Sequence, residues 1–216
     1  MSRVLSVNLA RPMPNPAKTT KVTGIDKVPT EDAVPVRAPG RVGSGLSDDL
    51  VGNTRLHGGD DQAVYAYARE DLDRWQTTIG RPLANGNFGE NVTTSGIDVT
   101  GARVGERWRV GTDGLLLEVT SPRTPCRTFA AYLGVRGWIK TFTEAAVPGA
   151  YLRVIHPGTV RAGDEVEVID RPDSDITVGL VFRAISGEPD LLPRLLDVDA
   201  LPDDIKKLAR KRLARV

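Results

Sequence analysis

The sequence predicts a mainly β fold of the α+β kind, with a β-rich body over residues 1–171 and a helical extension over 172–216. Three observations predict it. The chain spreads 22 glycines and 15 prolines along its length and holds only 5% aromatics, which punctuates short strands rather than a helical bundle. Apolar, β-branched stretches such as Leu115–Thr120 recur between these breakers. Composition then shifts after Arg171, where Pro172–Asp175 reads as a linker and helical patterns follow.

Taken in order, Arg3–Ala10 reads as a first strand, carried by Val4, Leu5 and Val7. Arg11–Lys18 is a proline-rich loop, Lys21–Ile25 a second strand, and Asp26–Pro29 a polar turn. Residues 30–52 fit short strands with wide connections. The clearest helix runs from about Gln62 to Ile79, because Val64, Ala68, Leu72, Trp75 and Ile79 recur at helical spacing. Asp60 or Asp61 is its expected cap, and Gly80 with Pro82 its stop. Asn91–Thr94, Arg107–Val110 and Leu115–Thr120 read as strands, and Thr128–Leu133 and Gly137–Ala146 as short helices. Tyr151–Ile155 and Glu165–Ile169 are strands, the second entered through a tight turn at Ala162–Asp164. The tail reads as three helices: Ile176–Ile185, Pro189–Leu196 and Pro202–Arg215. Pro189 and Pro202 suit first helical positions, and the last helix places acids first and cations last.

Composition excludes several classes. A chain of 216 residues with 40% hydrophobic and 26% charged residues suits one soluble domain with a small appendage. A net charge of +1 gives no general attraction to nucleic acid or to an anionic membrane. The opening MSRVLSVNLARPMPNP reads as too short and polar for a signal peptide, and no apolar run is long enough to span a bilayer. One cysteine fits a reducing, cytoplasmic setting. His57 and His156 lie far apart without zinc-site spacing, and no nucleotide-binding fingerprint or GxSxG occurs.

Three segments carry residues suited to chemistry. Cys126 lies in TSPRTPCRTF, with Pro125 before it and Arg123 and Arg127 on either side. Positive charge favours a thiolate, which acts as a nucleophile, a sulfur carrier or a single ligand to a soft metal. The alternative is a buried, inert cysteine. The residues leave both open, although two arginines and two prolines suit a core strand poorly. The second segment is LHGGDDQAVYAY, where Gly58 and Gly59 allow close approach of an anion to which His57 could donate. A flexible turn is its plain reading. The third is NGNFGENVTTSGI, where Phe88 and Asn91 suit stacking and hydrogen bonding to a heterocycle; an ordinary loop is the alternative.

These segments occur in order with GIDKVP (24–29), SPRTPC (121–126) and YLRVIHPGTVRAGDEVEV (151–168). Together they resemble the MOSC family, the domain at the C-terminus of molybdenum cofactor sulfurases, and in particular its bacterial hydroxylaminopurine-resistance branch. The resemblance covers nearly the whole chain. It implies a β-barrel with flanking helices and a small helical extension, holding the molybdenum cofactor (molybdopterin) with Cys126 as the metal ligand. It further implies Lys27 at the cofactor phosphate, Asn91 on the pterin or phosphate, and contacts from Phe88, Arg123 and Thr124. His57, Gly58 and Gly59 would line the pocket. The chain departs from the family pattern it resembles, in which Pro and Lys often follow HGG; here Asp60 and Gln62 stand there, and the local charge is more acidic.

The activity so implied is reduction of small N-hydroxylated compounds to amines, with electrons from a separate flavoprotein reductase, because no flavin, haem or iron–sulfur motif is visible. Asp60, Asp61 and Glu90 are the acids that could deliver the proton. No nucleic acid or membrane partner is expected, and the chain acts as a monomer or homodimer. The alternatives are a sulfur carrier using a Cys126 persulfide and a non-catalytic cofactor-binding module.

Overall fold

The computed structural model describes residues 1–18, 21–54 and 57–214. In chain order the elements are β1 (Arg3–Ala10), β2 (Met13–Pro14), β3 (Val22–Thr23), β4 (Lys27–Thr30), β5 (Val34–Val36), a 3-10 turn at Asp60–Gln62, β6 (Val64–Ala68) and α1 (Arg69–Ile79). Then come β7 (Val92–Ser95), β8 (Arg107–Val110), β9 (Leu115–Pro122), α2 (Arg127–Leu133), α3 (Trp138–Ala145), β10 (Ala150–His156), β11 (Gly158–Val160) and β12 (Val166–Asp170). The extension holds α4 (Val178–Ser186), a 3-10 segment at Pro189–Leu195 and α5 (Asp203–Leu213). Leu56 and Arg215, named above, lie outside the described residues.

The body is an eight-stranded sheet in the order β12-β8-β9-β10-β6-β7-β1-β4, with β5 and β11 paired beside it. The sheet curls, but it does not close as a full barrel ladder. The β12 end reaches round to β1, next to the β4 edge, at the bridge Arg3–Glu165 and through backbone bonds such as Val4 N–H to Asp164 O at 2.8 Å. Val4, Val64, Trp108, Leu115 and Leu152 fill the inner face and leave only ≈ 10 Å³ free. A ligand site must therefore lie at the rim. The outer face packs against α1, α2 and α3 through Tyr67, Trp75, Phe88, Phe129, Trp138 and Phe142.

Two expectations are corrected. The predicted helix over Gln62–Ile79 is a strand, Val64–Ala68, followed by a helix beginning at Arg69. All five residues of β6 are buried, antiparallel to β10 on one edge and parallel to β7 on the other. A strand buried on both faces has no polar alternation, so its apolar residues match helical spacing by default. Asp60 and Asp61 consequently sit in the 3-10 turn and do not cap α1, whose N-cap is Ala68 without a side-chain bond. The expected stop holds, with Gly80 left-handed at φ 75°. The predicted turn Asp26–Pro29 is largely strand β4, paired with β1 from Ala10–Lys27 to Val7–Thr30. Pro29 is tolerated there because β4 is a sheet edge, where a missing N–H goes unnoticed.

The extension packs back on the body. Phe182 of α4 enters the aromatic core at 6.0 Å from Phe142, while Leu180, Leu192, Leu195, Leu201 and Ala209 form a core of their own.

Candidate functional site

The chain leaves β9 at Pro122 and starts α2 at Arg127, so Arg123–Cys126 forms a short connection at the sheet rim. Cys126 caps α2, its Sγ accepting from Phe129 N–H at 3.5 Å. Burial pushes the thiol up, but a hydrogen bond from His57, the Arg123 charge and the Phe129 N–H outweigh it and hold the pKa at about 6. At neutral pH this is a thiolate. Arg123 is 7% exposed. It donates to the Phe88 carbonyl and stacks between the rings of Tyr65 and Phe129, 5.0 and 4.6 Å from their centroids.

In cofactor-free protein the alkylation rate of Cys126 by iodoacetamide should reach half its maximum near pH 6. His57→Ala should move that midpoint upward. Because the folded value lies below the ordinary thiol value of about 8.5, the unfolded chain binds more protons between them. The thiolate's stabilisation is thus present above that ordinary value and lost as the pH falls through about 6.

Lys27, at the start of β4, ion-pairs with Asp49 at 2.5 Å, the two side chains being 7% and 1% exposed. Asp49 also accepts from Asn91 Nδ2 at 2.8 Å and from Ala10 N–H at 2.9 Å. Asn91 is fixed at its other end by Tyr65 N–H, 3.1 Å from its Oδ1. Burial would raise the Asp49 carboxyl, but Lys27, Ser44 and Asn91 hold it below the usual carboxylate range. Burial lowers the Lys27 ammonium, and Asp49 restores it only in part.

These groups line one cleft of ≈ 410 Å³, within the range of small-molecule and cofactor sites. Its described lining includes the cations Lys18, Lys21, Lys27, Arg123 and Arg127 against one acid, Asp49. Glycine is required at two of its edges. A Cβ on Gly58 (φ 82°) would sit 2.4 Å from the Gly43 carbonyl oxygen, and one on Gly89 (φ 74°) 2.8 Å from Ile25 and 3.2 Å from Arg123. A second cleft of ≈ 420 Å³ adjoins it, and the two share His57, Gly58, Gln62 and Tyr151.

Lys27, His57, Gly58, Asn91, Arg123 and Cys126 therefore come together at the first cleft. Gly59, Asp60, Asp61 and Thr124 line the second. Phe88 lines neither, which corrects its reading as a stacking platform. Its ring is fully buried, 5.0 Å from Tyr67 and 5.1 Å from Phe129, because an aromatic side chain gains more from this core than from a polar rim. Glu90 is likewise withdrawn from proton delivery. Fully buried, it accepts from Gly86 N–H, Phe88 N–H and Thr93 Oγ1 at 2.6, 3.0 and 2.9 Å, and so shapes the loop that presents Asn91. Sequence reasoning missed Asp49, Tyr65 and Tyr151. Asp49 sits in a plain SDDL stretch, and only the folded chain brings it to Lys27. Among the described residues no group of three or more His, Cys, Asp or Glu could hold a metal.

Fold and site together define a curled β-sheet protein that carries a thiolate in a cationic rim cleft. The MOSC domain model matches residues 53–167. The chain is 34% identical over 181 residues to the uncharacterized protein YflK of Bacillus subtilis, spanning 83% of this chain and 79% of that one. It is 28% identical over 163 residues to a Gibberella moniliformis protein named reductase, spanning 73% of this chain and 29% of that longer protein. The solved structure of YiiM from Geobacillus stearothermophilus superposes with a TM-score of 0.80 at 24% identity, covering 99% of this chain and all of the other, a likeness of fold. The chain belongs to the MOSC domain family, a family associated with the molybdenum cofactor. No helix among the described residues is long and apolar enough to cross a membrane.

Proposed function

We propose that the protein binds the molybdenum cofactor, with Cys126 as the protein ligand to molybdenum, and reduces N-hydroxylated compounds such as hydroxylaminopurines and amidoximes to amines. The observation that carries this is the Cys126 thiolate set in a cleft with five cations and one acid. The donor set fits the group: a soft thiolate suits molybdenum, and a cationic cleft suits a phosphate-bearing ligand. Lys27, with Asn91 beside it, would hold the phosphate end. Arg123 and His57 keep Cys126 ionised, and Gly58 and Gly89 keep the walls free of side chains.

The cofactor, when bound, supplies the two-electron redox chemistry. The net reaction takes two electrons and two protons and releases water with the amine. The chain's part is to orient the substrate and deliver protons. Asp61 is held by Arg153 at 2.6 Å, whereas Asp60 lines the second cleft and, among the described residues, its carboxylate accepts from the Gly40 backbone N–H at 2.7 Å, so we assign proton delivery to Asp60 with Asp61 positioning the loop. Electrons come from a separate flavoprotein reductase. A cytoplasmic monomer or homodimer, with residues 172–216 as a distinct extension, completes the proposal.

Protein from a cofactor-competent host, given dithionite-reduced methyl viologen, should convert benzamidoxime to benzamidine, and Cys126→Ala should not. Absence of turnover, together with a persulfide on Cys126 by mass spectrometry, would favour the sulfur-carrier reading. That role needs the thiolate but gives no reason for the five cations.

A further inference from the structure

The second cleft has two unlike walls. The sheet side contributes Arg41, Asp60 and Asp61; the extension contributes Asp204, Ile205 and Leu208 of α5. Arg153 braces the walls at fixed spacing. It donates to Asp61 at 2.6 Å, to Glu118 at 3.0 Å, and to the Ala200 carbonyl, in the segment leading into α5, at 3.0 Å. With Asp61 paired to Arg153, Asp60 and Asp204 face Arg41 among the described lining residues, a weakly acidic balance where that of the first cleft is cationic. The two join at His57 and Tyr151, beside Cys126.

Opposite potentials in joined clefts sort ligands by charge. An anionic group is drawn to the cationic cleft and repelled from the acidic one. The apolar side chains of Ile205 and Leu208 offer a face to a flat molecule, while Asp204 sits where a positive or donor-rich edge would meet it. We propose that this cleft is the substrate subsite, and that Asp204 makes it selective for flat molecules carrying an amidine-like, cationic or donor-rich group over carboxylate analogues. The proposal deepens the N-hydroxy reductase reading and rests on it, but its test reads binding apart from turnover.

Benzamidine and benzoate have nearly the same shape and opposite charge. Titrated calorimetrically into the full chain as purified from a cofactor-competent host, benzamidine should bind about tenfold more tightly than benzoate. Asp204→Lys should abolish that preference. Asp203→Lys, in the same helical turn but outside the cleft, should leave it within about twofold, which separates a subsite from a change in helix dipole or net charge. If Asp204→Lys does not fold, Asp204→Asn should still weaken the preference by about threefold. Equal affinity for the two probes, or equal losses in both lysine variants, overturns the subsite. Benzamidoxime turnover with equal probe affinities leaves the reductase reading standing and removes this one; probe selectivity without turnover does the reverse.

Discussion

Lys27→Met should cost about 3–5 kcal/mol of folding free energy, the penalty for leaving a buried partner charge uncompensated. Asp49 is 1% exposed at its side chain and would keep neutral donors alone, among them Asn91, Ser44 and the Ala10 N–H. The double variant Lys27→Met/Asp49→Asn should recover most of the loss, because it removes both charges. Denaturant unfolding of the two single variants and the double closes the cycle. The pH dependence has a sign. The folded Asp49 carboxyl lies below its ordinary value, so its contribution is present above the ordinary carboxylate range and lost as the pH falls through the depressed value. Lys27→Met should lose that acid limb. The ammonium is also lowered, so the stabilisation from its own titration is present only above the ordinary lysine value of about 10.4 and is lost as the pH falls through the folded one. At neutral pH the pair's worth therefore lies on the Asp49 side. A buried pair of this kind is costly as structure alone, which accords with a cation held ready for an anionic ligand. Cofactor retention should fall in Lys27→Met as well.

Phe88→Ala should be as damaging, at about 3–5 kcal/mol, through the cavity it opens. The ring touches Tyr67, Trp75, Phe129, Trp138 and Phe142, with centroids 5.0 to 6.2 Å away. Phe88→Leu should keep most of the stability and leave cofactor content unchanged, as measured by thermal unfolding and metal analysis. A ligand-stacking ring would give the opposite pattern, with stability intact in both variants and cofactor lost.

Much of the fold was legible because local patterns agreed with tertiary packing. Strand β1, strand β8 and the glycine stop after α1 fell where residue type predicted. Reading failed where long-range pairing decided the outcome. Val64–Ala68 is helical by spacing and a strand by its two neighbours, β7 and β10. Asp26–Pro29 looked like a turn, but pairing with β1 makes Lys27–Thr30 a strand. Helix α4, which starts at Val178 with Thr177 as its cap, and the 3-10 segment at Pro189–Leu195 came within a few residues of expectation.

At the site, motifs identified the residues but not their roles. Phe88 lies within a motif segment yet serves the core, and only its carbonyl reaches Arg123. Arg123 was expected only as a charge and cofactor contact beside Cys126, and its burial between two rings carries no local sequence signal. Asp49 carries no motif at all, because its partner stands 22 residues away and meets it only through folding. The second cleft was equally invisible, since one of its walls comes from the extension.

The most direct test of Cys126 as the ligand that retains molybdenum is elemental analysis of wild type and Cys126→Ala, both expressed in a cofactor-competent host. The Cys126 cap bond to Phe129 is long, at 3.5 Å, so the variant should fold with little loss of stability and a stoichiometric comparison is fair. The account predicts about one molybdenum per wild-type chain and a fall to background in Cys126→Ala. Equal molybdenum in both proteins, or none in the wild type, would contradict it.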